Sequence, residues 1–214
     1  EDRYSQYRGY LRCQDDLWRK AVDHVAKCGM NTLFIDLGEG MEYPSRPELK
    51  VAGTWSAEKM RKELERIRAL GLEPVPKLNF STCHDSWLKE YHRMVSTSEY
   101  YRVVADVIRD VCEIFGNPRL LHIGFDEEMP IAQFNHFHST CRQGELWWHD
   151  FLWFVDVTEK AGVDVGVYLR GGDIGVPQEL LQRTHVGAAL EHMRSEAVPQ
   201  NVRRYRYSVL ESGQ

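Results

Sequence analysis

The chain has 214 residues, of which 43% are hydrophobic, 11% aromatic and 28% charged. That length supports one substantial core, so a single domain is expected over residues 1–214, with 177–214 as an atypical tail. A formal charge of −5 leaves no basic stripe for nucleic acid, and no apolar run approaches the ~18 residues of a membrane span.

In chain order, residues 7–11 read as a short opening strand. Asp15 is the expected N-cap of a helix bearing Leu17, Ala21, Val25 and Cys28 on one face, with Trp18 and Val22 alongside. Gly29 stops it, and residues 32–37 follow as a strand. Ser56 caps a second helix with Ala57, Met60, Leu64 and Ile67 in register. That helix ends at Gly71, before a strand at 75–80. The third carries Tyr101, Val104, Ile108, Val111 and Phe115, closes at Gly116-Asn117-Pro118 and leads into 120–125. The fourth carries Trp147, Trp148, Phe151, Phe154 and Val155, ends at Gly162 and gives a strand at 165–169. These are i, i+3/i+4 stripes with glycine stops at intervals of 42, 45 and 46 residues. Beyond them lie a short helical pattern at 177–183, an apolar run at 186–190 and a basic stretch at Arg203, Arg204 and Arg206.

Strands alternating with helices imply parallel pairing. A (β/α)8 TIM-type barrel and an open doubly wound sheet both fit. No Gly-x-Gly-x-x-Gly turn follows the first strand, and the loops after the strands are long, so the barrel is the better reading. The strand count falls short of a closed ring, since a full barrel takes about 250 residues. The chain is therefore a fragment, a barrel incomplete or truncated after about five to six strands, or one closed by a second copy in a homo-oligomer. The five cysteines, Cys13, Cys28, Cys83, Cys112 and Cys141, include no Cys-x-x-Cys pair. They argue against a disulfide framework and lean towards a reducing, cytoplasmic location. Cys28 and Cys112 are expected on apolar faces, while Cys83 lies beside the cleft as a candidate reactive thiol.

In a parallel barrel the chemistry gathers at strand C-termini. Those positions hold Asp36, Glu39 and Glu42, then Lys77, Asn79, His84 and Asp85. Asp126, Glu127 and Glu128 follow the next strand, and Arg170 and Asp173 the last. A solvated acidic loop would also account for Asp126–Glu128, but the convergence at one rim favours a site. Two adjacent carboxylates suit sugar hydrolysis, in which one donates a proton while the other stays ionised.

The segment His122-Ile123-Gly124-Phe125-Asp126-Glu127 resembles the His-x-Gly-x-Asp-Glu motif of family 20 glycoside hydrolases, the β-N-acetylhexosaminidases. In that family the motif ends the fourth strand of a (β/α)8 barrel. The resemblance implies that Asp126 orients the substrate's 2-acetamido group, whose carbonyl oxygen is the nucleophile, and that Glu127 is the general acid/base. It also implies a supporting role for His122 inside the rim. Tyr7-Arg8-Gly9 resembles the family's Arg-Gly at the first strand, which implies that Arg8 grips sugar hydroxyls. Asp36, Glu39, Asn79, His84, Glu128 and Arg170 complete the expected substrate-binding set, and a carbohydrate is the expected partner. The sequence departs from the family in having Ile35-Asp36-Leu37-Gly38-Glu39 where a His-x-His pattern is usual. Phe125 also stands where a small residue is usual.

Two further readings compete. One is a non-catalytic glycan-binding or degenerate barrel. The other is a metal-dependent barrel hydrolase or isomerase, for which His84-Asp85 with His92, and His136-x-His138 with Cys141, offer ligand chemistry. No helix carries His-Glu-x-x-His, and neither metal nor other cofactor is expected. Trp147, Trp148 and Trp153 are expected in the core, whereas Trp55 and Trp87 in loops can stack on a pyranose face. The alternating charges of Arg61-Lys62-Glu63, Glu65-Arg66 and Arg68 predict an exposed helix face.

Overall fold

A computed structural model describes residues 8–135 and 137–163. The strand expected at 165–169, Arg170, and every reading made for 177–214 lie outside the described residues. The regular elements are α1 (Asp15–Lys27), β1 (Thr32–Asp36), α2 (Ala57–Ala69), β2 (Glu73–Lys77), α3 (Ser98–Phe115), α4 (Pro130–Asn135) and α5 (Glu145–Lys160). No described helix is long and apolar enough to cross a membrane.

β1 and β2 pair in parallel, with Thr32 opposite Glu73 and Asp36 opposite Lys77. They are the only two strands among the described residues, so the expected barrel is not seen. The segment at 120–125, expected as a strand, joins β2 only through a parallel bridge between Lys77 and His122. His122 N–H donates to Pro76 O at 3.0 Å, and Leu78 and Phe80 N–H donate back to His122 O and Ile123 O. Pro74 and Pro76 account for this thin pairing, because proline has no N–H to give a ladder. The opening strand expected at 7–11 is also reduced to a bridge. Tyr10 pairs with Ala52, in the loop after β1, rather than with β1 itself.

The sheet's helix-facing residues and three helices share one core. Ile35, Leu37, Val22, Met60, Leu64 and Ile67 are buried together with most of one face of α3, from Tyr100 through Val104, Val107, Ile108 and Val111 to Phe115. α3 is capped at both ends. Thr97 accepts from Tyr100 N–H, and Gly116 takes φ 71°, a left-handed turn that costs glycine little. Ser45 N–H and Oγ both donate to Asp110, at 2.8 Å each, and Arg46 holds Asp106, which together strap the loop after β1 onto α3. Some expectations need correction here. Asp15 is the first residue of α1 rather than its cap, and bonds Trp55 Nε1–H and Lys59 instead. Cys28 is exposed, because α1 ends just before it, while Cys112 is buried. Burial pushes the Cys112 thiol up to about 11. Within the charged face of α2, Glu63 is buried, accepting from Trp18 Nε1–H and from Arg66. Trp148 is 42% exposed rather than in the core; Trp147 and Trp153 are partly buried.

A second network lies between α3, α5 and the acidic motif. Arg142 has no exposed side-chain surface and pairs with Glu128 and, at 3.6 Å, with Asp150. It also donates to Phe80 O and to Tyr100 Oη, and its guanidinium lies over the Phe125 ring. Asp150 is completed by Ser96 and Tyr101 hydroxyls. Removing the cation leaves Glu128 buried without its counter-charge and Asp150 with only the exposed His149 ring beside it, a change that typically costs about 3–5 kcal/mol. Arg142→Met is therefore expected to lower unfolding stability by roughly that amount. Urea denaturation followed by circular dichroism measures it, and a loss below about 1 kcal/mol would show that the network carries little of the fold.

Candidate active site

An open cavity of about 680 Å3 lies where the C-terminal ends of β1 and β2 meet the loops that follow them. From the β1 end it receives Asp36, Leu37 and Glu39. The segment after β2 contributes Asn79, Cys83, His84, Ser86 and Trp87. Glu127 enters from the acidic motif, Leu11 and Arg12 from the N-terminal segment, Trp18 from α1, and Trp55 and Met60 from around the start of α2. Four ionisable or amide groups named from sequence, Asp36, Glu39, Asn79 and His84, thus share this cavity with Glu127.

The acidic motif meets the cavity through one histidine. Glu127 Oε2 lies 2.9 Å from His84 Nε2, and Asp126 Oδ2 lies 3.9 Å from the same nitrogen. An Nε2–H tautomer of His84 donates the shorter contact. Both carboxylates are more than half exposed. They therefore keep hydration that two buried like charges would lose. Across the floor, Asn79 Nδ2–H donates to Asp36 Oδ2 at 2.7 Å, and Lys77 Nζ sits 3.3 Å from the same carboxylate.

Glu128 departs from expectation. Its side chain is buried, accepts from Thr82 N–H and Oγ–H and from Gln133 Nε2–H, and pairs with Arg142. It points away from solvent because buried Arg142 pairs with it from the interior side. His122 is also displaced: it is exposed but does not line the cavity. Its Nδ1 accepts Gly124 N–H at 3.0 Å, and its ring meets Phe34 edge-on. Partial burial, followed by the Lys77 charge, holds its pKa below the ordinary histidine value. Arg8 is exposed and outside the cavity lining; the arginine that lines it is Arg12. Cys83 is buried, with its thiol turned to the Glu127 carbonyl oxygen, and burial pushes that thiol up. A raised thiol pKa disfavours the thiolate, so the reactive reading of Cys83 loses its basis.

Sequence reasoning missed Arg12, Trp18, Met60 and Ser86. Trp18 and Met60 were legible only as helix-face residues, and the segment around Arg12 has no periodicity to place it. Trp55 and Trp87 do line the cavity, but each is nearly buried and spends its indole N–H, on Asp15 and on Asn79 O respectively. Only ring edges or partial faces remain for a ligand.

No protein-family model and no curated protein matches the chain. Among solved structures it is similar to the family 20 β-N-acetylhexosaminidase of Streptomyces coelicolor A3(2), with a TM-score of 0.51 and 18% identity over 69% of this chain and 35% of that one. It is likewise similar to the Flavobacterium johnsoniae chitobiase, with a TM-score of 0.55 and 17% identity over 77% of this chain and 30% of that one. The likeness is one of fold, over the matched part of this chain and of each enzyme. The chain spans about a third of the length of either enzyme.

The glycine inside the motif has a physical cause in this arrangement. Gly124 has φ 61°, and a Cβ built there would lie 2.5 Å from Leu78 O and 2.7 Å from Asn79 Oδ1. Both the backbone twist and the close approach exclude a side chain. Gly124→Ala is expected to cost at least about 2 kcal/mol and to dislodge Asn79. A thermal melt checks the first effect, and a melt indistinguishable from the parent's would show that the two segments are not packed this closely.

Proposed function

We propose that this chain is a glycoside hydrolase acting on amino-sugar-containing glycans, with retention through substrate assistance. The observation that carries the reading is the Asp126–Glu127 pair meeting His84 at the edge of the cavity, on a fold shared with family 20 enzymes. Glu127 gives its proton to the glycosidic oxygen as the C1–O bond breaks. The 2-acetamido carbonyl oxygen attacks C1 from the opposite face, while Asp126 accepts the acetamido N–H and holds the group in line. Water then adds to C1 as the bond to the acetamido oxygen breaks, and the Glu127 carboxylate takes the water's proton. Two inversions leave the anomeric configuration retained. His84, hydrogen-bonded to Glu127, orients that carboxyl, and Arg12, Asp36, Glu39 and Asn79 supply polar contacts for sugar hydroxyls.

Glu127→Gln keeps the side chain's shape but cannot transfer the proton. Its hydrolysis of an aryl N-acetylglucosaminide is expected to fall by about 10²–10⁴-fold, with an unchanged circular dichroism spectrum. Undiminished turnover in a folded Glu127→Gln protein would remove the proposed role.

A metal-dependent reading has one observation in its favour. His84, Asp126 and Glu127 place a ring nitrogen and two carboxylate oxygens within 4.8 Å of one another. Full activity after exhaustive chelation would set it aside.

A further inference from the structure

Asp85 follows His84 directly, yet its side chain runs the other way, into the interior. It is 1% exposed. Its Oδ1 lies 3.7 Å from His92 Nδ1, beyond hydrogen-bond length, and its Oδ2 is buried with no hydrogen-bond partner among the described residues. A buried carboxylate oxygen left without a donor is uncommon, because desolvating it costs free energy that nothing returns. Burial pushes the Asp85 carboxyl up, opposed first by His92 and then by Arg142 and His138.

A second imidazole converges on the same point. His138 comes from the segment after α4, and its ring meets that of His92 edge-on at 5.5 Å. One oxygen of Asp85 and one nitrogen each of His92 and His138 lie within 4.8 Å of one another. His138 Nδ1 is 3.1 Å from Gln133 O. When Nδ1–H donates to that carbonyl, the ring's lone pair is fixed on Nε2, the arrangement that outer-shell carbonyls impose on metal-binding histidines. Both histidines are partly buried, His92 with 14% of its side chain exposed, which leaves a narrow approach from solvent.

We propose that Asp85, His92 and His138 form a binding site for a divalent transition-metal ion of the zinc type, separate from the Asp126–Glu127 pair. Two imidazoles and a carboxylate match the donors such ions take. Ligand atoms about 2.0–2.1 Å from a tetrahedral ion sit roughly 3.3 Å apart, so the 3.7 Å Asp85–His92 contact shortens only slightly on loading and the other separations, all within 4.8 Å, close to match. The ion clamps the loop after β2, which carries His84, to the segment around residues 128–143. Those segments already meet where Ser139 N–H donates to Arg93 O at 2.7 Å. An Asp85–His92 ion pair alone accounts neither for the unpartnered Oδ2 nor for the second imidazole.

The test uses the full chain, freed of metal by dialysis against chelator and titrated with Zn2+ against a chromogenic competitor. One tightly bound Zn2+ per chain is expected, with a melting temperature that rises as Zn2+ is added. His92→Gln and His138→Gln, both at partly exposed positions, are expected to weaken binding by at least about 10-fold, a loss that even outer-shell changes reach. His84→Gln and Glu127→Gln are expected to leave binding unchanged. Absence of stoichiometric binding by the parent protein overturns the proposal. So does binding that survives both His92→Gln and His138→Gln but is lost in His84→Gln. Co2+ added to the parent protein gives a readout independent of any variant: tetrahedral visible absorption supports the site, and an octahedral aquo-like spectrum overturns it.

Discussion

Glu128 and Arg142 decide which way the acidic motif faces. Three consecutive carboxylates cannot share one solvated pocket without repulsion, nor be buried together without counter-charge. Arg142, fully enclosed between α3, α5 and the Phe125 ring, takes Glu128 inward and holds it with Thr82 and Gln133. With Glu128 fixed, Glu127 and Asp126 are left to solvent and to His84. The same guanidinium reaches Phe80 O, just beyond β2, so one buried charge ties the motif to the strand end that carries Asn79 and His84. A pair of this kind is weak support for stability in its own right, since its desolvation is expensive. Its contribution is orientation.

The sheet is thinner than its helices would suggest, for a reason written in the strand. β2 reads Glu73-Pro74-Val75-Pro76-Lys77, and its two prolines have no N–H to offer a ladder. Pairing with 120–125 therefore begins at the Pro76 carbonyl and continues through Leu78, Phe80 and Ser81, beyond the regular strand. Gly124 lies in that same zone, packed directly against Leu78 O. The polar cluster is thus built on loop-like backbone at the strand ends.

Much of the helical framework was legible, because its signals are local. The stripe of α3, the Ser56 cap and the four stop glycines, all at positive φ, follow from periodicity and turn chemistry. The rim positions of Asp36, Asn79, His84 and Glu127 followed from reading strand ends as one edge. What escaped depends on partners distant in sequence. Nothing near Arg142 marks it as enclosed, since Glu128 is 14 residues away and Tyr100 is 42. Glu63 looked solvated until Trp18, 45 residues earlier, proved to donate to it. Asp85 and His84 are neighbours pointing to opposite sides of one loop, a division that no residue-type pattern encodes. The strand at 120–125 was overestimated because an apolar run was weighed without the prolines opposite it.

Glu127 itself sits at φ 51°, in the left-handed region where a branched or bulky side chain is rare. An L-residue held there forfeits about 1–2 kcal/mol that glycine would not. Surrounding contacts must over-determine the conformation for it to persist. Glycine or asparagine would be easier on the backbone at this point, so the turn is held by what surrounds Glu127: the His84 ring on its side chain and the Cys83 thiol on its carbonyl oxygen.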